Sequence, residues 1–172
     1  MRRLILPLAI AAIALPVMAG PAPVTIQLKG PTGADMGAAT LTEAPGGVVM
    51  RIEARGLTPG WHGLHFHEKA DCSSADFKSA GGHMRHDTPA VHGLLNPAAS
   101  ETGDLPNLFA GADGAATAEV FSPFVSLTAA GRSRLLDADG SALVIHAAPD
   151  DHLSQPIGGA GARIACAVIK AP

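Results

Sequence analysis

Tyrosine is absent from these 172 residues, and with five phenylalanines and one tryptophan the aromatics reach only 3%. A core cannot be built on rings, so Val, Ile, Leu and Ala must fill most of it. The one long apolar run, Leu4 to Ala19, stops short of the roughly 20 residues that a bilayer-spanning helix needs, and no membrane partner is expected. Positive charge is not in excess: 12 Lys and Arg stand against 15 Asp and Glu, a formal charge of -3. That argues against a nucleic-acid partner, which would want a basic face. No stretch carries a convincing helical amphipathic period, and no internal repeat or low-complexity tract is evident.

What is present begins with a leader. Arg2 and Arg3 precede the apolar run, and Val17-Met18-Ala19 places small residues where a signal peptidase reads. The pattern predicts a secretory signal over residues 1–19, with cleavage after Ala19. Losing Arg2 and Arg3 takes the formal charge from -3 to -5, and residues 20–172 remain as one domain of ordinary size. Export sends the only two cysteines, Cys72 and Cys166, to an oxidising compartment, where a bridge between them is the expected state.

The strand signals are short and close together. Val24 to Leu28 reads as a first strand, and Gly30 to Gly37 as a turn-rich link. Residues 47–57 alternate: Val49, Arg51, Glu53 and Arg55 fall on one face and Val48, Met50, Ile52 and Ala54 on the other. That is an antiparallel strand with one wet face. Thr58-Pro59-Gly60 is a turn, and GWHGLHFHE follows. Thr117 to Phe121, Ala142 to His146 and Arg163 to Ile169 are further strands, with turns at 112–114 and 137–140. Irregular segments occupy 68–106 and 147–162. Together these features argue an all-β sandwich or barrel.

The chemistry gathers in the histidines, all eight of which lie between His62 and His152. His65 and His67 are two apart in a strand, so both rings point the same way with Cα atoms roughly 6.6 Å apart, a spacing that lets two nitrogens converge on one metal ion. Leu64 and Phe66 take the opposite face, and His62, at an odd spacing, turns away from both. The patternless stretch 68–106 needs something other than secondary structure to order it. His83, His92, Glu101 and Asp104 recur along it at metal-ligand-like intervals, and ligation would supply that order.

The sequence resembles the copper/zinc superoxide dismutases of the bacterial periplasmic branch. The likeness rests on GWHGLHFHE at 60–68, Cys72, SAGGH at 79–83, HG at 92–93, GDLP at 103–106, ALVIHAAPDD at 142–151 and GGAGARIACAVI at 158–169. It implies an eight-stranded Greek-key β-barrel, an immunoglobulin-like sandwich, with two long functional loops. It implies copper on His65, His67, His83 and His146, and zinc on His83, His92 and Asp104, with His83 bridging. Asp150 would link a copper histidine to a zinc histidine by hydrogen bonds, and Cys72 and Cys166 would form the family disulfide. Arg163 and His83 would serve catalysis directly: Arg163 attracting the superoxide anion to a net-negative protein, His83 giving up a proton as peroxide leaves.

Two positions depart from the family pattern. Glu101 stands where a histidine usually precedes the Gly-Asp of the zinc loop. Either its carboxylate joins the zinc site, or that site is weak or empty. Arg85-His86 follow SAGGHM where the family usually has Asn-Pro or Asp-Pro, and His86 reads as a surface residue with a displaced ligand as the alternative. His62 resembles a packing histidine of the family, and the role of His152 stays open. The expected function is superoxide dismutation by Cu(II)/Cu(I) cycling, with a periplasmic copper-binding or copper-delivery protein on the same fold as the rival reading. Monomer and homodimer are both compatible with the sequence.

Overall fold

Alternation decides the strands. In the computed structural model, which describes residues 22–85 and 88–171, β3 (Gly47–Ala54) buries Val48, Met50, Ile52 and Ala54 and turns Arg51 and Glu53 to water. The leader and His86 lie outside the described residues. Strand β3 pairs along its length with β2 (Asp35–Ala44) on one side and β7 (Ala116–Ser122) on the other. Beyond β2 come β1 (Val24–Lys29), β11 (Arg163–Ile169), β10 (Ser141–His146) and β5 (Leu64–His67), giving one seven-stranded antiparallel sheet in the order β5-β10-β11-β1-β2-β3-β7.

The chain passes from one end of this sheet to the other through a strand broken at Gly63. Its first half, β4 (Gly60–His62), pairs with β6 (Leu108–Ala110), which lies against β7, while its second half, β5, pairs with β10. Counting β4 and β5 as one strand, the principal strands are the eight of the expected barrel. The departure of sheet order from chain order is a Greek-key crossover. The remaining strands, β8 (Val125–Ser126) and β9 (Ser133–Arg134), form a two-residue parallel pair. Only a single 3-10 turn, Lys78–Ala80, is helical among the described residues.

The core is aliphatic, as the scarcity of rings requires. Leu28, Leu41, Ile52, Leu64, Leu143 and Ile145 are fully buried, and Phe66 and Met50 join them. Each such side chain contributes about 1.5 to 3 kcal/mol by leaving water. One expectation is corrected. The link read over 30–37 is a tight turn over Gly30 to Ala34, and β2 starts at Asp35 within it. Gly37 is indispensable there: at φ 112° any Cβ would sit 2.0 Å from the Glu53 carbonyl of β3.

Candidate metal centre

Strand β5 is buried on both faces. Leu64 and Phe66 enter the core while His65 and His67 project from the other side, which the seven-stranded sheet leaves to the two long loops. The 68–107 loop is tied to this strand by main chain: Phe66 N–H donates to Gly103 O and Met84 N–H to Phe66 O, both at 2.8 Å. His65 thereby sits opposite Asp104, His67 opposite His83, and Arg85 opposite Glu101. On the neighbouring strand, the β10–β11 register slips between Ile145 and His146. A slip of this kind re-aims a side chain, and here it sets His146 opposite Arg163.

His65, His67, His83 and His146 each offer a ring nitrogen within 4.8 Å of the others, and all four are buried. Hydrogen bonds at the opposite nitrogens show which atoms are free. His67 Nδ1 donates to Gly81 O and His146 Nδ1 to Gly161 O, both at 3.0 Å, and His65 Nε2 donates to Asp150 Oδ2 at 2.8 Å. The remaining atoms, His65 Nδ1, His67 Nε2, His83 Nε2 and His146 Nε2, are buried without a partner. Such orphans need an explanation. Burial holds His65 down to about 4, His146 to about 3 and His67 well below its ordinary value. Burial keeps three of the rings neutral, and all four aim an unpartnered nitrogen at one place, the donor set that copper takes.

The second cluster has the opposite electrostatics. Glu101 Oε2 accepts from His83 Nδ1 at 2.7 Å and from His92 Nδ1 at 2.9 Å. Asp104 Oδ1 lies 3.0 Å from His92 Nδ1 and 3.3 Å from His83 Nδ1. Burial opposes charge on His92, but Asp104, Asp150 and Glu101 outweigh it and push the ring up to about 11. His83 is raised in the same contest. The histidines hold both Asp104 and Glu101 below the usual carboxylate range against burial. Two carboxylates and two imidazoles that draw in protons when nothing else is bound are a cation site, and the mixed N and O donors suit zinc. Distance alone would group His65 with His83, His92 and Asp104, because its ring stacks on His83 at 3.9 Å. Its bonding decides otherwise: Nε2 is taken by Asp150, so only Nδ1 is free, and that atom belongs with the first set.

This pattern of imidazoles and carboxylates matches known proteins. The family described as copper/zinc superoxide dismutase matches residues 36–169. The chain belongs to that family. The dismutase is 64% identical to the superoxide dismutase [Cu-Zn] of Caulobacter vibrioides over 147 residues, 85% of this chain and 84% of that one. A solved structure of a SOD-like protein from Bacillus subtilis superposes with TM-score 0.78 at 37% identity, covering 84% of this chain and 97% of that one. The Cu/Zn superoxide dismutase of Brucella abortus superposes with TM-score 0.69 at 33% identity, covering 86% and 99%. The dismutase converts superoxide to dioxygen and hydrogen peroxide and uses copper and zinc. These likenesses favour the enzyme over the copper-delivery reading.

The other residues singled out in the sequence are accounted for as follows. Cys72 and Cys166 are bonded, with Cα atoms 5.8 Å apart. Asp150 joins the two clusters, accepting from His65 Nε2 and, at 3.0 Å, from His92 Nε2. Arg163 is half-buried and donates to Phe77 O at 2.6 Å and Gly81 O at 2.7 Å. It lines a cavity of about 580 Å³ with His146, Asp76, Lys78 and Gly161. His62 is buried between Thr58 O and His146 O and belongs to neither cluster. Two amide side chains escaped the sequence reading. Gln155 clasps the main chain of His92, accepting from its N–H and donating to its O, each at 2.9 Å. Asn107 clasps Asp150 in the same way.

Proposed function

We propose that this dismutase holds copper on His65, His67, His83 and His146 and zinc on His83, His92, Asp104 and Glu101, and that it works in the periplasm after removal of residues 1–19. Four buried ring nitrogens without partners carry the copper assignment. The apolar leader with its two arginines and the Cys72–Cys166 bond support export to an oxidising compartment. Among the described residues no helix is long and apolar enough to cross a membrane.

Copper supplies a one-electron couple that oxidises one superoxide to dioxygen and reduces the next to peroxide. The protein's own residues do the rest. Arg163 keeps its charge although burial lowers its pKa, and two carbonyls point its guanidinium at the cavity beside His146. It gives a net-negative protein a local attraction for an anionic substrate. His83 has a nitrogen in each cluster. With Nδ1 held among the zinc carboxylates, Nε2 is the atom that would hold a proton whenever it is not bound to copper and give it to the departing peroxide, whose second proton would come from water. Asp150 keeps the His65 and His92 protons on Nε2, so that Nδ1 of each ring stays available to a metal.

The test is composition together with spectroscopy. Purified, metal-loaded protein is expected to hold near one copper and one zinc per chain, with nitrogen hyperfine structure from imidazoles in the copper EPR signal. A copper signal without imidazole nitrogen would sink the assignment. For Arg163, replacement by Ala is expected to slow dismutation at low ionic strength by roughly tenfold and to flatten its dependence on salt, since steering of this kind raises encounter rates by about 10 to 10³. Arg163→Lys should keep most of the rate, and an undiminished rate in Arg163→Ala would remove the steering role.

A further inference from the structure

Asp150 is the carboxylate that touches one ring of each cluster, and it aims those rings only as well as its own main chain is fixed. It lies in the irregular segment between β10 and β11, with no strand beside it. The side chain of Asn107, three residues past Asp104, takes the place of a strand. Asn107 Nδ2 donates to Asp150 O at 2.8 Å, and Asp150 N–H donates to Asn107 Oδ1 at 2.9 Å. This two-point contact fixes the orientation of the amide, because the reversed amide would set donor against donor and acceptor against acceptor.

The contact extends one residue further. The second hydrogen on Asn107 Nδ2 faces His152 Nε2 at 3.3 Å, and the other ring nitrogen, Nδ1, lies 3.5 Å from Asp150 Oδ2. The main-chain N–H of His152 donates to Asp150 Oδ1 at 2.6 Å. His152 reaches this position through a left-handed turn, φ 61°, which folds its backbone over the carboxylate. The Asp150 carboxylate therefore receives hydrogen bonds from His65, His92 and the His152 main chain, and its peptide group is locked by Asn107.

We propose that Asn107, backed by His152, is a positioning residue for both metal sites, setting Asp150 and through it the His65 and His92 rings. The inference rests on His65 serving copper and His92 serving zinc.

The test uses copper- and zinc-loaded protein. Asn107→Ala is expected to weaken zinc retention against a chelator by up to roughly 10-fold, the lower end of the range for losing an outer partner of a metal ligand, because Asn107 acts through Asp150, and to alter the copper EPR hyperfine pattern. His152→Ala should act in the same direction but less strongly. A clasp that merely joined two loops would lower the melting temperature and leave zinc retention and the copper signal alone, and that result overturns the proposal. Should Asn107→Ala fail to fold, His152→Ala keeps both main-chain bonds to Asp150 and decides by the same two readouts. Zinc absent from the unsubstituted protein would bring down the ligand assignment together with the inference. Zinc present there and held equally well in both variants would bring down the inference alone.

Discussion

Glu101→Ala is expected to lower zinc affinity by roughly 10²- to 10³-fold while copper stays bound. The size follows from sharing: structural zinc binding is worth about 10 to 16 kcal/mol, so one donor in four accounts for about 2.5 to 4 kcal/mol, and every 1.4 kcal/mol is tenfold. The copper set is spared because none of its four free nitrogens touches Glu101. Replacement by Gln keeps the shape but not the charge, and should fall between Ala and the native residue. Glu101→His restores the family's usual donor and should recover most of the affinity. Competition with a chromogenic chelator reads all three variants. Zinc held equally in Glu101→Ala and the native protein would show that the 2.7 and 2.9 Å contacts to His83 and His92 serve only to neutralise those rings. The carboxylate also changes the character of the site: Glu101 and Asp104 together give it one more anionic donor than three histidines and one aspartate would.

Most of the barrel was legible where side chains differ sharply between faces. Strand β3 announces itself through Arg51 and Glu53 against Met50 and Ile52, and β5 through its paired histidines. Strand β2 did not, because Gly37, Ala38, Ala39 and Thr40 differ too little in polarity to mark a period; its identity comes from the register it shares with β1 and β3. The break at Gly63 was equally hidden. It depends on β4 and β5 finding different partners, β6 and β10, which lie far away in sequence. The metal ligands were legible because histidine is chemically distinctive and the motifs resemble a family. Asn107 and Gln155 were not: an amide in a loop says nothing until the loop carrying it meets its partner, 43 residues away for Asp150 and 63 for His92.

Removing the disulfide, as Cys72→Ser with Cys166→Ser, is expected to cost the metal-free protein about 4 to 5 kcal/mol, the chain-entropy value for closing a loop of about this length; the two cysteines are 94 residues apart. For a domain of this size that is a fall in melting temperature of roughly 8 to 20 °C, read by calorimetry. The loss should reach the active site as well. Cys72 anchors the segment that carries Phe77 and Gly81. Gly81 O accepts from both Arg163 Nη2 and His67 Nδ1, and Phe77 O holds the other arm of Arg163. One stapled loop therefore aims the substrate-attracting cation and fixes the tautomer of a copper-set histidine. Loosening it lets both drift, so the metal-loaded double variant should dismute superoxide more slowly even well below its melting temperature. A melting temperature within a degree or two of the native value would show that the loop is held by its main-chain bonds to β5, and a native rate in the loaded variant would separate the disulfide from the alignment of Arg163 and His67.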